Sequence, residues 1–244
     1  PLQALKSDYD ELTYISDHVE RVYAAMIKSL DRSVGRIVES LQENGLSENT
    51  WIIFTSDNGG AGYIGLRYIN SPYRGWKLTL FEGGIRVPLI FWKDGIEQRQ
   101  LTQRATHIDI MPTIHGLVDS LLEHEVDGID LFSNQYDLNS RPIFWKTGHN
   151  KVVIQDNWKL QVSDYPDKKW LYNLAEDPTE QIELSLEHPE KTTELLALIK
   201  QHSDGATETL YKPPLLANIE IDRTLKEVSE DGPIEDEESV WVTN

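Results

Sequence analysis

The feature that most limits the possible folds is the order of two adjacent segments. Residues 17–44 place Val19, Tyr23, Ile27, Leu30, Val34, Ile37 and Leu41 at steps of three and four. That period predicts a long amphipathic helix. Asn44-Gly45 ends it with a left-handed cap. After the short loop "SENT", the run "WIIFT" (51–55) reads as a strand that is apolar on both faces, the pattern of a covered parallel sheet. Helix, short loop and buried strand form the αβ half of a crossover unit, so the fold class is α/β. Ligands in such folds gather beyond the carboxyl ends of the strands. This strand ends in Ser56-Asp57-Asn58-Gly59-Gly60.

The segments that follow complete the outline. Residues 59–84, "GGAGYIGLRYINSPYRGWKLTLFEGG", show little regular period, and a loop of this length in a compact domain is usually functional. "IRVPLIFW" (85–92) reads as the next strand and "THIDIMPTIHGLV" (106–118) as a helix, with Pro112 tolerated near its start. "DGIDLF" (127–132) is a turn into a short extended piece. Beyond residue 140, "RPIFWKT", "KVVIQDNWKLQVS" and "KWLYNL" read as three short strands of an antiparallel meander. "EDPTEQIELS" is a turn, and "HPEKTTELLALIKQHS" is a helix with proline near its start. The expected organisation is a larger α/β domain over 1–139, a smaller subdomain of antiparallel strands and helix over 140–216, and a solvated acidic tail over 217–244.

Composition removes several functions. The formal net charge is −18, which argues against nucleic acid or an anionic membrane as partner, since both need a positive field. An anionic substrate must then be held by a local cluster of cations. With no cysteine, disulfides, thiolate metal sites and a cysteine nucleophile are excluded within these residues. No apolar run approaches the ~18 residues of a membrane-spanning helix, and no signal peptide is recognisable. The chain starts at Pro1 rather than Met, so its natural beginning is expected upstream.

Asp57 and Asn58 offer hard oxygen donors, suited to Ca²⁺ or Mg²⁺ rather than zinc. The bland alternative is a turn with an Asx hydrogen bond. Lys77, in "RGWKLTLFEGG", can present an ammonium to an anionic oxygen; the alternative is a surface lysine. Arg67, Arg74 and Arg86 raise the local positive charge, while Glu82 with Gly83-Gly84 returns the loop to the sheet. Trp76 adjoins Lys77, and with Arg74 it is a lesser candidate for substrate contact. His107 and Asp109 could form a dyad, but capping and orienting their helix is the favoured reading. His18 reads as structural.

Several ordered segments carry a family resemblance. "YAAMIKSLDRSVGRIVESLQENGLSENTWIIFTSDNGG" followed by "GWKLTLFEGGIRVPLIFW" resembles the C-terminal half of the type I, arylsulfatase-like sulfatases, and "THIDIMPTI", "DGIDL", "NWKL" and "LYNLAEDPTE" continue the pattern in order. The resemblance implies a partial alkaline-phosphatase-like sulfatase fold with a smaller C-terminal subdomain of antiparallel sheet plus helix. It implies hydrolysis of an organic sulfate ester, on a small molecule or a sulfated saccharide, at a formylglycine in an N-terminal half not contained in these residues. It implies one divalent cation, Ca²⁺ with Mg²⁺ possible, held partly by Asp57 and Asn58, with Lys77 on the sulfate, and a periplasmic or secreted location. The sequence departs from the family in lacking the C/S-x-P-x-R nucleophile motif. Ser71-Pro72-Tyr73-Arg74 echoes it with the wrong spacing. The paired aspartates that complete the metal site are absent too, as is a histidine that the resemblance places two positions before Pro1. Hence the chain taken alone is expected to be inactive. Two rivals stand beside this reading: a phosphomonoester, phosphodiester or phosphonate hydrolase of the same superfamily, which would tend to carry histidine where Asn58 stands, and a non-catalytic binding module. The particular ester and the oligomeric state are not legible in the sequence.

Overall fold

In a computed structural model the described residues are 2–66, 68–133, 140–148, 150–164 and 167–207. Arg67 and the acidic tail lie outside them. The chain divides into two compact units, Pro1–Arg99 and Gln100–Asn244.

The first unit opens with a short helix, α1 (Lys6–Glu11), which has no counterpart in the periodicity reading because six residues are too few to show a period. The long helix α2 spans His18–Glu43. Asp17 caps its start by accepting the Glu20 N–H at 2.8 Å. At its end Gly45 takes φ +67°, with Gly45 N–H bonded to Gln42 O at 3.0 Å and Leu46 N–H to Leu41 O at 2.8 Å. This is a Schellman ending, which only a residue without Cβ adopts cheaply. Asp8, 1 % exposed, ties α1 to α2 by accepting both guanidinium N–H groups of Arg32 at 2.7 and 2.8 Å. That pairing holds the Asp8 carboxyl below its ordinary value. His18 is structural, its Nδ1 lying 3.0 Å from the Tyr9 hydroxyl.

Strand β1 (Ile52–Thr55) follows a short 3-10 turn and pairs with β2 (Leu89–Trp92), but antiparallel, with Ile52 opposite Trp92 and Phe54 opposite Ile90. The parallel neighbour expected from the sequence is not found among the described residues. Apolar residues on both faces report coverage of a strand, not the direction of the strand beside it. β2 is also shorter than read, because residues 82–85 form a buried helical turn, α3 (Glu82–Ile85).

In the second unit a 3-10 turn (His107–Asp109) leads into α4 (Ile110–Leu117). Four antiparallel strands follow in sequence order: β3 (Ile143–Thr147), β4 (Asn150–Gln155), β5 (Trp158–Asp164) and β6 (Asp167–Asn173). The meander is as expected, but "KVVIQDNWKLQVS" is two strands rather than one. Asp156, at φ +52°, makes a two-residue turn with Asn157 between them, a conformation Asp tolerates better than most residues. Val153, Leu160 and Leu171 lie side by side across three strands and are buried together with Leu195 and Ile199 of α5 (Pro189–Asp204). Burial of five such side chains stabilises the unit by roughly 1.5–3 kcal/mol each. On the same strand β5, Lys159 is wholly buried against Glu180, 2.7 Å away, as a buried ammonium requires.

Candidate active site

β1 delivers Ser56, Asp57 and Asn58 at its carboxyl end. Asp57 is exposed and its Oδ1 accepts the Asn58 N–H at 2.9 Å. Asn58 donates its side-chain N–H to Gly59 O at 2.9 Å, and Ser56 Oγ donates to Asn58 O at 2.9 Å. These contacts fix the turn internally. They leave Asp57 Oδ2 and Asn58 Oδ1 without a hydrogen bond among the described residues.

The two diglycines that bracket the long loop pack backbone to backbone. Gly59 N–H donates to Gly84 O at 2.9 Å, and a Cβ on Gly59 would lie 1.7 Å from Gly83 O. No side chain fits there, so glycine at 59 is a requirement of close approach. The loop closes a second time one residue later, where Gly60 O accepts the Lys77 N–H at 3.1 Å. Lys77 is therefore returned to the turn that carries Asp57 and Asn58. It is half-buried, and among the described residues its ammonium makes no ion pair. The next residue, Leu78, holds φ +87°, a left-handed conformation that costs a non-glycine residue about 1–3 kcal/mol. Thr79 braces it: its Oγ donates to Trp76 O at 2.9 Å and accepts the Trp76 N–H at 3.2 Å.

Of the other loop cations, Arg74 and Arg86 are engaged in packing. Arg74 is buried, its guanidinium 4.0 Å from the Phe81 ring centroid. Arg86 lies 4.5 Å from the Tyr73 centroid and 3.5 Å from Glu82. Trp76 is buried, with Gly62 against its ring face. Arg74 and Trp76, the lesser candidates for substrate contact, thus form the floor of the loop. Asp109 is part of no dyad among the described residues: its Oδ2 accepts the Thr106 N–H at 2.8 Å, its Oδ1 the Ile129 N–H at 3.0 Å, and both oxygens receive Arg141 at 2.7–2.8 Å. It caps the 3-10 turn that leads into α4, a structural role of the kind favoured from the sequence. Arg141, 32 residues away, was beyond any local pattern.

As a metal site the turn is partial. Two hard oxygens fit Ca²⁺ or Mg²⁺ in kind, but calcium takes about six to eight ligands. Among the described residues no group of three or more histidine, aspartate or glutamate side chains could hold an ion.

The structure superposes on Ps i-CgsB in complex with k-i-k-neocarrahexaose with a TM-score of 0.78 and 25% identity, over 87% of this chain and 49% of that one. The architecture is the alkaline-phosphatase-like sulfatase fold with a smaller antiparallel-sheet-plus-helix portion. The sulfatase family model matches residues 4–120. A sulfatase of Formosa agariphila is 33% identical over 215 residues, covering 74% of this chain and 38% of that protein. The N-acetylgalactosamine-6-sulfatase of Rattus norvegicus is 32% identical over 154 residues, covering 60% and 29%. The chain belongs to the sulfatase family, and it spans less than half the length of each of these relatives.

Proposed function

We propose that this chain is the part of a sulfuric ester hydrolase that presents Asp57 and Asn58 to a divalent cation and Lys77 to the sulfate group of a sulfated saccharide. The observation that carries the reading is the Lys77 N–H bonded to Gly60 O at 3.1 Å, which puts the lysine beside the Asp57-Asn58 turn. Asp57 Oδ2 and Asn58 Oδ1 would hold the cation, Ca²⁺ by their chemistry, with further donors supplied from outside the described residues. The cation would supply positive charge against the sulfate oxygens. Lys77 adds its own charge at the same group, which stabilises negative charge gathering on oxygen as the ester breaks. The lysine works against an overall charge of −18, so it acts as a local electrophilic anchor and not as part of a general anion-attracting surface. The nucleophile, read by family resemblance as a formylglycine, lies outside this chain. A saccharide substrate is supported by the names of the relatives, one an N-acetylgalactosamine-6-sulfatase and one solved with a neocarrahexaose. A periplasmic or secreted location belongs to the same reading. No helix among the described residues is long and apolar enough to cross a membrane.

The test uses the complete enzyme with calcium content and turnover of an aryl sulfate measured together. Asp57→Ala is expected to lose both. Lys77→Ala is expected to keep its metal and lose about 10²-fold or more in turnover, the scale of removing one preorganised electrostatic contact. Full calcium occupancy in Asp57→Ala, or unchanged turnover in Lys77→Ala, defeats the reading. Turnover of a phosphate monoester or phosphonate in preference to the sulfate would move the enzyme to the phosphohydrolase branch.

A further inference from the structure

Asn70 sits in the middle of the long loop, in a segment with no chemistry of its own, yet its carboxamide directs three hydrogen bonds at the loop's backbone. Its Oδ1 accepts the Gly60 N–H at 2.7 Å. Its Nδ2 donates to Gly60 O at 3.0 Å and to Gly75 O at 3.0 Å. The side chain therefore pairs with Gly60 at both its donor and its acceptor, as a neighbouring strand would, and with its remaining N–H it grips the turn that precedes Trp76 and Lys77. Gly60 O in turn receives both Asn70 Nδ2 and the Lys77 N–H. One carboxamide thus spans the two pieces of backbone that carry the proposed metal donors and the proposed sulfate contact. Its own main chain is anchored by the Tyr73 N–H donating to Asn70 O at 2.9 Å.

We infer that Asn70 is a positioning residue: its carboxamide sets the distance and angle between Lys77 and the Asp57-Asn58 pair. The inference rests on the proposed function for what those groups do, and on the geometry alone for the clasp. Only a carboxamide supplies one acceptor and two donors in a plane. Aspartate has the same shape, but it would set a carboxylate oxygen about 3.0 Å from two carbonyl oxygens, replacing two attractions by two repulsions. Asn70→Asp is therefore the sharpest variant, isosteric and opposite in sign. Asn70→Ser, smaller and uncharged, serves if the aspartate variant does not fold.

Two measurements separate the clasp from the catalytic reading. In this chain as it stands, amide hydrogen exchange is expected to quicken at Gly60 and Lys77 in either variant while amides of the four-stranded sheet stay unchanged. Unaltered exchange at Gly60 and Lys77 overturns the clasp. In the complete enzyme, well below its melting temperature, Asn70→Asp is expected to lower kcat about 10²-fold, the scale of a misplacement near 1 Å. On a Lys77→Ala background the same change is expected to cost little more, since it acts through Lys77. Losses that multiply instead mean that Asn70 supports the fold generally, and the positioning role falls. If Lys77→Ala alone has no effect, the proposed function fails while the exchange result still decides the clasp.

Discussion

Asp109 shows how much one buried carboxylate can hold together. It is inaccessible to solvent and links residues 106, 129 and 141. Burial pushes its carboxyl up, but the Arg141 guanidinium and the Thr106 and Ile129 N–H groups outweigh burial and hold it below the ordinary carboxylate value. The folded pKa is thus lower than the unfolded one, near ~3.9. The stabilisation is complete above pH ~4 and is lost as pH falls through the folded value. Asn at 109 would leave Arg141 facing an uncharged partner. We predict that Asp109→Asn costs about 3 kcal/mol at neutral pH and flattens the acid side of the stability curve. Calorimetry of both proteins between pH 7 and pH 2 checks this, and equal acid slopes would refute it. At this scale the sequence exposed the residues whose position is local. Asp57 and Asn58 were legible because they end an apolar run, Lys77 because it stands in a glycine-rich loop, and Asp109 because it stands at the start of a helical pattern. Asn70 and Arg141 were not, because their partners lie 10 and 32 residues away.

Helix α2 and the β1–β2 pair leave an apolar face uncovered. Only Ala25 of α2 is buried, whereas Ile27 and Leu30 are each 48 % exposed and Ile90 of β2 is 53 % exposed. Ile27, Leu30, Val34, Phe54, Ile90 and Trp92 line one open trough, with Phe54 and Ile90 facing each other across the strand pair. An apolar trough of this kind beside unpaired strand edges promotes association. We predict that the isolated chain self-associates and binds an apolar dye at the first unit, and that Ile90→Lys lowers both. The unfolding free energy should change by no more than an exposed-site change allows, about 0.5 kcal/mol. Light scattering and dye fluorescence give the answer, and a monomeric wild-type chain without dye binding would count against it. The same elements mark where sequence reasoning stopped. The period of α2 was unmistakable over 26 residues. Strand direction was not encoded locally, since "WIIFT" states that it is covered and is silent on its neighbour. The turn inside "KVVIQDNWKLQVS" hid because Asp156-Asn157 lacks the glycine that usually announces a hairpin.

For the whole molecule, the family membership and the incomplete donor set lead to one expectation. The 244-residue chain is predicted not to hydrolyse sulfate esters alone, because the roles proposed for Asp57 and Lys77 are to supply charge and neither is the proposed nucleophile. An aryl sulfate assay that follows the chain through purification tests this, and turnover above the buffer blank that tracks the protein would refute it. Fold class was readable at this scale, because repeated periods and turns fix it. Substrate choice was not, because it is made by loops that surround a cleft, and their contacts have no period. The interlocked diglycines carry a consequence in time as well as space. The bonds that close the loop, from Gly59 to Gly84 and from Gly60 to Asn70 and Lys77, join residues 10 to 25 positions apart, within one loop. Closing such short loops costs little chain entropy and is quick. The acid, the amide and the lysine can therefore be brought together early, before the chain has found its more distant strand partners, so that the arrangement of this turn depends on the loop itself rather than on the rest of the fold.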